Sequence, residues 1–251
     1  DGSRNEEAIA HSRHVLESFP KHVDVYRLLG KAYLESQRYG DAGDIFQRVL
    51  SAVPEDFVSH VGMSIIREDE GNLDAAIWYM ERASETQPSN NAIKDELRRL
   101  YGRRDGIEPP KIRLTRGALA RMYSRGGLYD QSVAELRAAL AEDPQRPDLL
   151  VLLAQMYYQL GQQVDAVDTC GNLIKRLPYC LVANRILAAI LPNTGRVDDT
   201  KTYHQRSIAL DPYFATAAPN ALSADSVPES AVNVERLAYK PGQASSGSSQ
   251  P

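Results

Sequence analysis

The sequence predicts an all-α fold, a right-handed α-solenoid of antiparallel helix pairs with one repeat truncated, and three observations predict it. Prolines stand 34 residues apart at Pro20, Pro54 and Pro88, then again at Pro144, Pro178 and Pro212. Small residues keep the same phase: Gly30, Ser64, Ala120, Ala154 and Ala188 on a first helix, and Ala8, Ala42, Ala76, Ser132 and Ala166 on a second. Gly71, Gly127, Gly161 and Gly195 occupy a third fixed place. A period of this length marks stacked supersecondary units, each of which buries its apolar face only against its neighbours.

The chain opens on residues 6–19, which match a second helix with Ala8 and Pro20 in phase. No first helix precedes them, so the sequence reads as a fragment of something longer, with any upstream signal or anchor left open. Full units then run over 23–56, 57–90, 113–146, 147–180 and 181–214. The small residues mark places where helix axes approach to about 8–9 Å. Large residues such as Leu29, Tyr33, Phe46, Met63, Met80, Leu136, Leu153 and Tyr157 fill the space around them. The recurring glycines suit the left-handed residue that ends a first helix. Asp74, Asp130 and Asp165 follow, where a carboxylate caps free amides, and the prolines stop each second helix.

Residues 91–112 break the pattern, because they offer one helix, Asn91 to Tyr101, and then GRRDGIEPPKI. Arg98 stands where a small residue belongs, as expected if no helix packs there. The next first helix, about Leu114 to Ser124, must point the same way, so the connection recrosses a helix about 18 Å long. Ten extended residues span about 31–34 Å, enough for Arg103–Ile112, with Pro109-Pro110 keeping them straight and Ile107 or Ile112 filling part of the gap. The division is therefore a first block at 1–102, an extended strut at 103–112, a second block at 113–214 and a tail at 215–251, the alternative for 103–112 being a flexible hinge between the two blocks.

Beyond Tyr213 the pattern fades into a linker, a weak helix over 230–239, and a Gly/Ser-rich end. With no polar capping helix in view, the last repeat is expected to expose Leu187, Ile190, Ile208 and Leu210. That surface, or the tail, is a route to self-association.

Composition excludes several classes. A net charge of −4 gives no general attraction to nucleic acid or anionic lipid, and no run approaches the ~18–20 apolar residues of a membrane helix. The only cysteines, Cys170 and Cys180, lack metal-ligand or disulfide spacing, so a reduced, cytoplasmic setting and a buried inert Cys170 are expected. His11 and His14 are three apart on one helix without a third ligand nearby. There is no Gly-rich phosphate loop, no G-x-S-x-G and no H-E-x-x-H. No catalytic residue, cofactor or metal is expected, and the reading is non-enzymatic.

The order Leu-Gly-x-x-Tyr, Ala, Phe, Pro at this period, across about residues 5–214, resembles the tetratricopeptide repeat family. The resemblance implies a superhelix with a concave face lined by the first helices, and a role as a protein-binding scaffold. In that register the groove collects Arg27, Lys31, Val61, Ile65 and Arg99 from the first block. The second block adds Arg121, Arg125, Val151, Gln155, Tyr158 and Arg185. Arginine forks among apolar residues suit an acidic peptide or protein partner with an apolar anchor; the plainer reading is a solvated face of paired charges. Family members that bind chaperone tails carry Lys, Asn, Asn, Lys and Arg on three first helices. The matching positions are Arg27, Lys31, Gly62, Ala92 and Glu96, or Gly117, Arg121, Leu152, Val182 and Ile186, so both asparagines are missing and that partner is disfavoured. A competing reading makes the array a regulatory or oligomerisation arm of a larger enzyme.

Overall fold

The computed structural model describes residues 2–194 and 197–215. These residues form twelve α-helices, with no strand among them. They are α1 (Gly2–Ser18), α2 (Val23–Glu35), α3 (Tyr39–Ala52), α4 (Phe57–Asp69), α5 (Leu73–Thr86) and α6 (Asn91–Asp105), followed by α7 (Arg116–Arg125), α8 (Tyr129–Glu142), α9 (Pro147–Gln159), α10 (Gln163–Arg176), α11 (Leu181–Ile190) and α12 (Val197–Leu210). Each first helix packs on the second helix of its own unit, and that helix packs on the next first helix, giving the α-solenoid. Expectations for residues 216–251 and for Gly195 lie outside the described residues.

Close approach within a pair rests on the small residues. The Phe46 ring is fully buried between Gly30 and Gly62, where an added Cβ would come within 2.7 Å and 2.2 Å of ring carbons. At the equivalent contact of two other pairs a serine hydroxyl donates to the facing carbonyl at 2.8 Å: Ser64 to Ala76, and Ser132 to Ala120. The serine has changed helix between the two units while the contact is retained. Ala8 departs from this set, because it is exposed where no helix faces α1.

Gly71, Gly127 and Gly161 take positive φ at the turn between paired helices, and Gln37 occupies the same place in the first unit at φ 57°. The caps differ from expectation. Asn72, rather than Asp74, accepts the Ala75 amide at the start of α5. Asp130 and Asp165 lie in the first turns of α8 and α10, whose N-cap residues Leu128 and Gln162 make no side-chain cap. Their carboxylates act there through the positive end of the helix dipole.

The truncated unit ends in a connection without helix, but α6 runs on to Asp105, so Arg103–Asp105 are helical. The amides at the end of α6 keep their helical partners until Gly106 turns the chain left-handed at φ 81°. The segment from residue 107 to 115 then crosses back over α6. Glu108 sits so close to Gly102 that a Cβ there would meet its Cγ at 2.5 Å. Ile112 packs on the cluster of Ile77, Met80, Leu97 and Leu100, whereas Ile107 is 80% exposed.

The two blocks then meet along their proline turns, in antiparallel order. The turn at Pro20 meets the last two: Lys21 donates to the Tyr179 hydroxyl at 2.7 Å, and His22 lies edge-on to Tyr213 at 5.8 Å. From the turn at Pro54, Glu55 lies within electrostatic reach of Arg121, Asp148 and Cys180. Glu85, just before the turn at Pro88, receives Arg146 at 2.5 Å. This closure corrects the expected exposed end. Leu187, Ile190 and Leu210 are buried, and Leu210 joins Val23, Val49 and Ala52 of the first block. Leu210 is removed from water by the opposite end of the chain, whereas Leu187 and Ile190 are buried in the core of the second block itself.

Candidate partner-binding surface

The first helices carry all eleven residues expected to line a groove, and closure divides them. Arg27, Arg121 and Arg185 are internal staples. Each reaches an aspartate 26–29 positions further on, near the turn that follows the second helix of its unit: Arg27 to Asp56 at 2.6 Å, Arg121 to Asp148 at 3.4 Å, and Arg185 to Asp211. Arg121 and Arg185 are buried. Burial works against the charge of Arg27, but Asp56 and Asp24 outweigh it and raise its pKa. Val151 is buried in the core of the second block, while Tyr158 packs against that core half-buried. Val61 packs on the cluster around Leu97. Gln155 is half-buried.

The remaining members face outward. Lys31 is exposed, with Glu35 at 3.7 Å. Arg99 is gripped by Glu96 and Glu68, whose hydrogen bonds raise its pKa. Arg125 is exposed and donates to the Thr86 carbonyl across the block junction. Ile65 of α4 is 38% exposed. Sequence reasoning missed Leu28, which is 62% exposed on α2. Its signal was present, since Asp24, Leu28, Lys31 and Glu35 repeat at 4, 3 and 4 residues and form one exposed helical stripe. A leucine on such a stripe is out of place for a solvated face.

Chemistry-bearing groups elsewhere are sequestered. Cys170 and Cys180 are free and buried, and burial pushes both thiols up, Cys180 to about 12. No three His, Cys, Asp or Glu side chains among the described residues are grouped to hold a metal ion. No helix among them is long and apolar enough to cross a membrane.

Against this geometry, the sequence profile of the tetratricopeptide repeat family matches residues 3–61 and 125–190. The chain belongs to the tetratricopeptide repeat family. No curated protein matches the sequence. Among solved structures, this tetratricopeptide repeat protein is similar to MamA from AMB-1, at 19% identity over 74% of this chain and 96% of that one, with a TM-score of 0.35. It is similar also to a tetratricopeptide repeat protein from Parabacteroides merdae, at 13% identity, 83% and 73% coverage and a TM-score of 0.37. The type IV pilus biogenesis factor PilW matches at 18% identity over 76% of this chain and 94% of that one, with a TM-score of 0.36.

Proposed function

We propose that this tetratricopeptide repeat protein is a non-enzymatic scaffold that binds a protein or peptide partner on the outward face of its first helices. The observation that carries this reading is the exposure of two large aliphatic side chains, Leu28 and Ile65, on helices α2 and α4 that pack against each other. Neither is needed by the fold at its position, and each sits among charged neighbours that keep the surface wet. Lys31 lies one turn from Leu28, and Arg99, already held by two carboxylates, borders α4 through Glu68. Binding energy at such surfaces concentrates in a few buried anchors. Leu28 and Ile65 are the anchors here, with Lys31 beside them and Arg125, Gln155 and Tyr158 offering polar and half-buried contacts on the first helices of the second block. The internal pairing of Arg27, Arg121 and Arg185 takes those residues out of direct partner contact and makes apolar fit, more than charge, the basis of recognition on this face.

The test is capture from the native source on immobilised protein, with identification of the retained partner and titration of that purified partner. Leu28→Asp combined with Ile65→Asp is expected to weaken the interaction at least tenfold while far-UV circular dichroism stays unchanged. Equal affinity of the double variant would remove this face as the binding surface.

A further inference from the structure

A second feature lies away from the first-helix face, on the proline edge where the blocks close. A cavity of about 480 Å³ opens there between the turn at Pro54, helix α5, the turn before α9 and the turn after α10. Trp78, Tyr79 and Leu177 supply apolar wall, and Arg82, Arg146 and His60 supply polar groups.

Arg82 is the anomaly. It is buried, and its guanidinium carbon lies 3.3 Å from the centre of the Trp78 ring. Nη1 donates to the Trp78 carbonyl at 2.8 Å, with Glu81 at 3.9 Å. Nε is buried without a partner, and Nη2 makes no hydrogen bond to another described residue. The neighbouring carboxylates are already engaged. Asp148 takes Arg146 at 2.7 Å and Arg121 at 3.4 Å, and Glu85 takes Arg146 at 2.5 Å. Glu81 accepts the Tyr101 hydroxyl, and Asp143 lies exposed at the rim, accepting the Gln145 amide. Arg82, Arg121 and Arg146 therefore compete for Asp148 and Glu85, a third buried carboxyl, that of Glu55, lies within reach of Arg121, and the edge of Arg82 suited to a carboxylate fork is the unmatched one. Burial, with the nearby Arg146 charge, lowers the Arg82 pKa to about 10, in line with a cation lacking its counter-ion. His60 repeats the theme: its Nε2–H donates to the Pro54 carbonyl at 2.9 Å, which leaves Nδ1 a buried acceptor without a partner.

We propose that this cavity binds a carboxylate carried on a peptide chain, taken by the Nε–Nη2 edge of Arg82, with an adjoining apolar side chain against Trp78 and Leu177. The carboxylate supplies the missing counter-charge, and a donor beside it, such as a peptide N–H, satisfies His60 Nδ1. This site is independent of the first-helix face and stands or falls separately from it.

Trp78 is the single tryptophan of the chain, so its fluorescence reports directly on the cavity. Three capped tripeptides serve as probes: acetyl-Leu-Glu-Leu-amide, acetyl-Leu-Gln-Leu-amide, and acetyl-Leu-Gln-Leu with a free C-terminus. Saturable change in Trp78 emission is expected with a carboxylate-bearing peptide, at least about tenfold tighter than with the neutral one. A response to the first peptide assigns an acidic side chain, and a response to the third assigns a chain end. Arg82→Gln is expected to abolish the preference, and Arg82→Lys, which keeps the charge but not the fork, to reduce it. Melting curves establish that each variant is folded, and the three wild-type titrations stand without them. Equal binding of charged and neutral peptides, or no saturable response to any at millimolar concentration, would overturn the assignment.

Discussion

Arg98 donates its Nε–H to the carbonyl of Pro109 at 2.9 Å, and its guanidinium reaches Glu108 at 3.6 Å. A residue too large for a helix–helix contact has become the tether of the segment that replaces the helix. Asp95 of α6 steadies the guanidinium at 3.6 Å, and the other two partners lie on the connection itself, so the connection is held at its middle rather than only at its ends. Replacing Arg98 by Ala is expected to cost about 1 kcal/mol of global stability, which at this chain length lowers Tm by about 2–4 °C. The larger effect is local, because cleavage by trypsin at Lys111 and Arg113 follows opening of that segment. Limited proteolysis should accelerate several-fold while the helical signal persists. An unchanged cleavage rate would show that Pro109-Pro110 and Ile112 hold the crossing without Arg98.

Glycine has two meanings within neighbouring helices, and substitution by alanine separates them. At Gly62 an added methyl would lie 2.2 Å from a ring carbon of Phe46, which is enclosed on every side. The overpacking cost of about 1–3 kcal/mol exceeds the helix-propensity gain of about 1 kcal/mol. Gly62→Ala therefore lowers Tm. At Gly43, inside α3, the nearest atom to an added methyl is Ile66 Cδ1 at 3.9 Å, an ordinary contact. Gly43→Ala keeps the propensity gain without the clash and raises Tm. Thermal melts of the two variants should move in opposite directions.

The repeats were legible in the sequence because each rests on local rules that recur at one period. The small contact residues, the left-handed turn and the terminating proline all fall within one unit. Closure of one block on the other was not legible, since Leu210 against Val23 or Arg146 against Glu85 joins residues with no periodic relation. The groove arginines lay between these cases. An arginine that binds a partner and one that staples adjacent units need the same helical register. The distinguishing mark was an aspartate 26–29 positions ahead, present for Arg27, Arg121 and Arg185. Gln37, at positive φ without being glycine, shows the converse: a fixed backbone position can persist where its usual residue is absent.

Arg146 is the most consequential single side chain of the block junction. It binds Glu85 of the first block and Asp148 of the second, both carboxylates being buried. Burial alone would raise the Asp148 pKa, but the Arg146 hydrogen bonds outweigh it and hold the carboxyl below its usual range. Arg146→Gln strips Glu85 of this charge partner and leaves Asp148 with Arg121 as its ion pair and Arg82 at longer electrostatic range, and loss of one partner of a buried pair costs about 3–5 kcal/mol. The variant is expected to melt earlier and to show a larger radius of gyration by small-angle scattering as the proline edges part. A scattering profile identical to that of the parent would mean that the apolar contacts around Leu210 are sufficient to keep the blocks closed.

Glu55 sets the pH response of the same junction. Its Oε2 is buried without a partner, and burial pushes its pKa up to about 7, against the opposing attraction of Arg121. In the unfolded chain the group titrates near 4.5. Between those values the folded protein holds a proton that the unfolded chain has lost, so this group makes stability fall as pH rises from about 4.5 to about 7. Above that window its cost is fully expressed, on the order of 3 kcal/mol. His22 and His60 act with the opposite sign. Burial lowers both pKa values, so the unfolded chain takes up protons first and stability falls as pH drops below about 6.5. Glu55→Gln removes only the alkaline-side loss. The variant should melt higher than the parent at pH 8 and converge with it near pH 5, in melts recorded across that range. Parallel curves, offset by a constant amount at every pH, would show that Glu55 is ionised in the folded protein throughout and that the closed junction solvates its charge.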